Sequence, residues 1–237
     1  MSASAFKAVK VHDGQAQVVP ELCVACASCV RVCPQEAKSI RDDRPAIVEA
    51  IRSGRKVVAS VATSSPAFFG IRTFAEMEKM LSALGFAAAG ETAYGAEMVA
   101  RVHREYVEAH PERHPIITSS CPVVVNLIER YYPDLIPHLA PLVSPMVAHG
   151  RTLRQRHGED AYVVFIGPCI AKKQEMCRDE VADAIDAVLT FTELQEWIEA
   201  EGSAVRSATD DGDTADVQVD PDARLFPIEG AWWAPRA

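Results

Sequence analysis

Residues 161–175 read AYVVFIGPCIAKKQE. The first six are apolar and rich in valine and isoleucine, the composition of a strand buried on both faces, and Gly167-Pro168 ends it. Cys169 opens the next segment, where 170–182 carries helical spacing. The unit is therefore a strand, a turn bearing a cysteine, and a helix. The same reading applies to the apolar runs at 57–62 (VVASVA), 115–118 (PIIT) and 187–191 (AVLTF). Helical periodicity fills the intervals at 73–84, 95–110, 121–131, 145–157 and 192–201. Strands alternating with helices predict an α/β fold, a parallel sheet with flanking helices, over residues 56–202.

Upstream of this pattern, Cys23, Cys26, Cys29 and Cys33-Pro34 follow the spacing C-x2-C-x2-C-x3-C-P. That is the spacing of bacterial ferredoxins, in which short loops bring successive thiolates to adjacent irons of one [4Fe–4S] cluster. Zinc is the rival metal, but four-cysteine zinc sites generally set their two C-x2-C pairs farther apart. In two-cluster ferredoxins the fourth cysteine serves the other cluster, and residues 1–22 contain no cysteine for a second run. Either Cys33 closes a single cluster with the other three, or the fourth ligand comes from elsewhere and Cys33 is free.

The run sits in a small ferredoxin-like α+β domain read over residues 1–55. It begins with a hairpin around Asp13-Gly14 and ends with a helix from Pro45 to Gly54. Beyond the α/β domain, residues 203–222 carry six aspartates without periodicity and read as an acidic loop or linker. The last segment, 223–237, holds Trp232 and Trp233 and reads as an interface or a fold-back.

The 237 residues are 49% hydrophobic with a formal charge of −9. An acidic balance argues against a counterion-displacing nucleic-acid surface. No stretch has the length and apolarity of a membrane span, and the N-terminal residues lack the apolar core of a signal peptide, so a cytoplasmic location is expected. In that compartment seven cysteines read as metal ligands or reactive thiols before disulfides.

Two further cysteines stand at helix starts. Cys121 lies in TSSCP (118–122) after PIIT, and Cys169 lies in GPCIAKKQE after YVVFI. Both are expected at the carboxyl edge of a parallel strand and on a helix N-terminus, where open α/β sheets bind ligands and where thiolates are stabilised. Locally, a small buried hydrophobe is an equal reading of a free cysteine. Cys177 would lie about 12 Å along the helix axis from Cys169, too far to share one cubane, and reads as structural. His103, His110 and His114 gather near a helix end and read as carbonyl caps. His12, His138, His149 and His157 show no ligand pairing.

In order along the chain, the cysteine run, TSSCP, SPM (144–146), GPCIAKKQE and VLTFTELQEW (188–197) resemble the iron-only ([FeFe]) hydrogenase large-subunit domain and its sensory and hydrogenase-like relatives. The resemblance implies that Cys121 and Cys169 ligate the cubane of an active-site cluster and that Lys172 donates to a cyanide on its diiron part. It also exposes departures. Ser120 stands where active members usually carry a proton-relaying cysteine, and a serine hydroxyl is far too weak an acid to replace it. Gly167 stands where a methionine is usual, Ala62-Thr63-Ser64-Ser65 lacks a proline usual beside the alanine, and the last cysteine motif has no counterpart before Ala237.

The expectation is thus an iron–sulfur electron-transfer or redox-sensing protein with one [4Fe–4S] cluster and an incomplete second site at Cys121 and Cys169. Such a protein works with a redox partner protein or with a companion subunit that supplies missing ligands. Two alternatives stand beside it: the N-terminal portion or a subunit of a hydrogenase, with Lys172 and Ser120 in its catalytic machinery, and a zinc or vestigial metal-binding module.

Overall fold

The computed structural model describes residues 6–35, 37–201 and 224. The segments read above as an acidic linker and a terminal interface, 203–222 and 223–237, lie outside the described residues apart from Arg224.

The chain opens with a hairpin of β1 (Val9–His12) and β2 (Gln15–Val18), paired antiparallel with His12 opposite Gln15. Asp13 and Gly14 make its turn, both at positive φ (50° and 78°), the conformation that a two-residue hairpin favoured by strand twist requires. The cysteine run follows as irregular backbone around the short α1 (Ser28–Arg31). Pro45 sits in the first turn of α2 (Arg44–Arg52), where its missing N–H costs nothing.

After β3 (Val57–Val61) come α3 (Ser65–Phe69), α4 (Phe74–Ala83), β4 (Ala88–Glu91), α5 (Ala93–Ala109), α6 (Pro122–Tyr131) and α7 (Pro145–His157). The chain then runs through β5 (Tyr162–Gly167), α8 (Lys172–Glu175), β6 (Ala187–Thr190) and α9 (Phe191–Glu201). Four parallel strands form one sheet in the order β4-β3-β5-β6. From β3 the chain moves to one side, to β4, and then crosses back to the other, to β5. The direction of winding therefore reverses beside β3, and a crevice opens there at the carboxyl ends.

Every residue of β3, β5 and β6 is buried, as expected for a sheet covered on both faces. Val57, Ala59 and Val61 pack with Ile47, Met77, Leu81 and Trp197 of α2, α4 and α9. Val58, Val163 and Phe165 face the other way, against Met146, Val147 and Leu153 of α7. Each fully buried valine, leucine or isoleucine contributes roughly 1.5–3 kcal/mol through area removed from water.

Two readings of the sequence are corrected. PIIT at 115–118 is not a strand of the sheet: Ile117 makes a single parallel bridge to Leu139. The fourth strand is β4, whose Ala-Ala-Gly-Glu gives no β-branched signal and joins the sheet because its backbone pairs with Val58–Val61. Segment 170–182 is not one helix either. It is the four-residue α8, a run of turns and a 3₁₀ turn at Asp179–Val181.

Candidate metal centre

The cysteine run lies against α6. Ala25 and Ala27 adopt left-handed backbone (φ 60° and 63°), which folds the segment between cysteines tightly enough for Ala25 N–H to donate to Cys23 Sγ at 3.4 Å. Cys26 Sγ lies 3.4 Å from Ser28 Oγ, Cys29 is in α1, and the Cys33 amide donates to the Val30 carbonyl at 3.3 Å. Cys26 is exposed and the other three are half-buried.

Four thiols at this spacing, with a backbone donor already aimed at one sulfur, fit the donor chemistry of an iron–sulfur cluster, whose sulfurs accept such hydrogen bonds. Among the described residues no three cysteine, histidine or carboxylate side chains converge at metal-ligand distance, in the run or elsewhere.

The second region is a cavity of about 340 Å³ at the carboxyl edge of the sheet. Ala62 and Thr63 after β3, Thr92 after β4 and Phe165 of β5 form its floor. Ser120 and Cys121 line it from the segment entering α6, Pro145 and Met146 from α7, and Lys172 from α8. Cys121 is the N-cap of α6, as the sequence suggested, although the element before it is a bridge and not a strand. Cys169 does follow a strand: it lies just beyond Gly167 of β5, and its carbonyl accepts from the Lys172 amide at 3.3 Å.

Lys172 is buried, and its ammonium donates to Glu175 Oε2 at 2.6 Å and to the Ser120 carbonyl at 3.1 Å. The charge is paired, and the side chain ties the TSSCP turn to the GPCIAKKQE turn. Its neighbour Lys173, also buried, reaches Glu193 at 3.0 Å and the Val188 carbonyl at 2.6 Å. The two lysines thus point to different jobs, one lining the cavity and one bracing β6.

At Gly167 an added Cβ would lie 2.7 Å from the Phe165 ring. The ring that floors the cavity therefore occupies the space a side chain at 167 would need.

Sequence reasoning missed a buried polar chain behind the cavity. Ser60 Oγ is 2.8 Å from Thr92 Oγ1 and 2.7 Å from His149 Nδ1. Burial, reinforced by the positive charges of Arg156 and His157, pushes the His149 imidazole down to about 3, so it is neutral at ordinary pH. Alternation along β3 was the available signal, since Ser60 shares a face with Val58 where an apolar residue is the rule. Of the other histidines, His110 caps as expected, with Nδ1 2.8 Å from the Tyr106 carbonyl, while His103 is buried within α5. Cys177 is exposed and accepts from Arg41 Nη1 at 3.3 Å.

A parallel sheet wound about a central crevice, with thiols on the turns that line or flank it and a ferredoxin-type run docked alongside, defines an iron–sulfur protein of the α/β class. The chain belongs to the family described as iron only hydrogenase large subunit, C-terminal domain, which it matches over residues 55–234. A 4Fe-4S binding domain matches residues 16–39, which include all four cysteines of the run.

Over 150 residues the chain is 34% identical to the periplasmic [Fe] hydrogenase large subunit of Nitratidesulfovibrio vulgaris, covering 56% of this chain and 35% of that one. Over 188 residues it is 30% identical to the cytosolic Fe-S cluster assembly factor NAR1 of Eremothecium gossypii, covering 73% of this chain and 41% of that one. The chain thus spans well under half the length of these curated relatives. The [FeFe]-hydrogenase HydA1 of Chlamydomonas reinhardtii, solved as a variant, superposes with a TM-score of 0.59 at 21% identity, covering 75% of this chain and 51% of that one. That likeness establishes the fold. No helix among the described residues is long and apolar enough to cross a membrane.

Proposed function

We propose that this chain is an iron–sulfur electron-transfer or redox-sensing protein of the iron-only hydrogenase-like class, holding one [4Fe–4S] cluster on Cys23, Cys26, Cys29 and Cys33. The observation that carries the reading is the contrast between a ferredoxin-spaced cysteine run with a backbone donor on one of its sulfurs and a cavity altered where hydrogen chemistry needs an acid. The run has Ala25 N–H on Cys23 Sγ, whereas the cavity has Ser120 in place of a thiol and the Phe165 ring against Gly167. A bound cluster supplies one-electron redox chemistry, with a potential set by hydrogen bonds to sulfur and by exposure.

Around it the chain's own residues orient and shield. The left-handed alanines hold the loop and α6 carries it, while Cys121 at the N-cap of α6 and Cys169 beyond β5 would supply two thiols of a second site. Such a protein would work with a redox partner, or with a companion subunit that supplies further ligands, and the location expected for it is the cytoplasm. The paired Lys172 ammonium at the cavity wall favours one second reading, a subunit of a working hydrogenase.

Anaerobic purification followed by iron and acid-labile sulfide analysis and infrared spectroscopy tests both. Iron and sulfide in equal amounts with no carbonyl or cyanide stretches is the expected result. Those stretches in the loaded protein establish the hydrogenase reading, and zinc without sulfide overturns both.

A further inference from the structure

One face of α6 is devoted to the backbone of the cysteine run. Asn126 and Arg130, four residues apart and hence stacked on one side of the helix, and Tyr131 beside them reach three consecutive carbonyls. Tyr131 Oη donates to Leu22 O at 2.8 Å, Arg130 Nη1 donates to Cys23 O, and Asn126 Nδ2 lies 3.4 Å from Val24 O. Arg130 Nη1 also donates to Pro20 O at 2.5 Å, and Val24 itself is buried. Asn126 is a junction as well. Its Nδ2 donates to Gln174 Oε1 at 3.0 Å on α8, and its Oδ1 accepts from Arg178 at 2.8 Å. One buried amide thus joins the loop of the first ligand to the helix that carries Lys172.

Arg130 differs from most guanidinium groups nearby. Arg178 is paired with Glu129, and Arg41 with Asp43, but no carboxylate lies within ion-pair distance of Arg130 among the described residues. In a chain of net charge −9, a positive charge with no carboxylate at ion-pair distance among the described residues is held on the carbonyl of the first ligand residue.

We propose that Asn126, Arg130 and Tyr131 are positioning residues for the cluster on Cys23–Cys33, and that the charge of Arg130 raises its reduction potential. This rests on the cluster assignment made above. Reduction adds one electron to the cluster and no proton from the protein, so the reduced form carries one more negative charge. A fixed cation beside the ligand loop stabilises that form over the oxidised one. The hydrogen bonds act separately. They order the loop, and groups that hold ligand-bearing residues typically matter roughly 10–100-fold for retention of a metal.

The test uses the full chain, loaded with iron and sulfide under anaerobic conditions, and reads the potential by EPR-monitored titration. Arg130→Gln, which keeps a donor and removes the charge, is expected to shift the potential downward, by less at high salt, where screening weakens the charge in the parent. Arg130→Lys, which keeps the charge, is expected to stay near the parent. Asn126→Ala and Tyr131→Phe are expected to lose iron to a chelator about 10-fold faster than the parent, with circular dichroism unchanged. A parent chain that takes up no iron–sulfur cluster overturns the assignment and the proposal together. A loaded parent whose potential matches that of Arg130→Gln overturns the charge effect alone. Unchanged chelation rates in Asn126→Ala and Tyr131→Phe remove the positioning role, and these variants decide it even if Arg130→Gln fails to fold.

Discussion

Cys169 follows a six-residue strand with every residue buried, whereas Cys23, Cys26, Cys29 and Cys33 lie on loops and a four-residue helix, none of them buried. The sheet fixes its cysteine turn by packing: Phe165 and Ile166 are locked between two layers of helices, and the turn follows where the strand ends. The N-terminal run has no comparable core. Its shape comes from two left-handed alanines, a few short hydrogen bonds and the side chains that α6 extends to it. A region built this way is expected to take much of its order from the group it binds, while the sheet region takes its order from its own core.

The sharpest way to break this contrast is to remove a ligand of the run and, beside it, a cysteine assigned to neither site. Cys26→Ser or Cys29→Ser is expected to abolish the visible absorbance of the cluster, and Cys177→Ser, on the turn after α8, to leave it unchanged. Equal losses in all three would sink the assignment. The next largest effect is on stability. Ile166→Ala empties a fully buried position in β5 and is expected to cost about 2–5 kcal/mol in denaturant unfolding, far more than Val32→Ala on the exposed surface of the run.

The sheet's core showed through the sequence because β3, β5 and β6 are predominantly apolar runs, and each is found within a residue or two of its expected bounds. The edge strand β4 did not, because Ala88, Ala89 and Gly90 carry no side chain that distinguishes a strand. Its identity comes from a partner 30 residues away, Val58 for Ala88. PIIT misled for the converse reason, since β-branched residues fit an extended segment whether or not a neighbouring strand is there to pair. Cys121 could be placed because its motif opens a helix, whereas Cys169, expected on a helix N-terminus, lies in the turn between β5 and α8, which starts only at Lys172 with Ala171 as its N-cap. Of the Ser60–Thr92–His149 chain only the polar Ser60 on an apolar strand face was on view, and its partners, like the clamp on α6, are residues that only tertiary packing brings together.

That buried chain gives a pH signature to the sheet region. An unfolded histidine titrates near 6.5, but His149 in the fold does so at about 3. Between those values the unfolded state holds a proton that the folded state refuses, so stability is unaffected above about pH 7 and falls as pH drops through 6 toward 3. The loss is on the order of a few kcal/mol in total. His103, also pushed down by burial, acts in the same direction. Denaturant unfolding at several pH values should show this slope, and His149→Gln should flatten it. The smallest effect is expected at the exposed pair Arg151–Asp183, 2.9 Å apart, where Asp183→Asn should cost less than about 1 kcal/mol and vanish at high salt.

The central claim, one cluster carried by the N-terminal run and none completed at the sheet's edge, is tested most directly by native mass spectrometry of the anaerobically loaded chain. The parent and the Cys121→Ser, Cys169→Ser double variant are predicted to carry the same mass increment, that of a single [4Fe–4S] cluster, with Cys29→Ser carrying none. A parent increment that disappears in the double variant, or one that survives in Cys29→Ser, contradicts it.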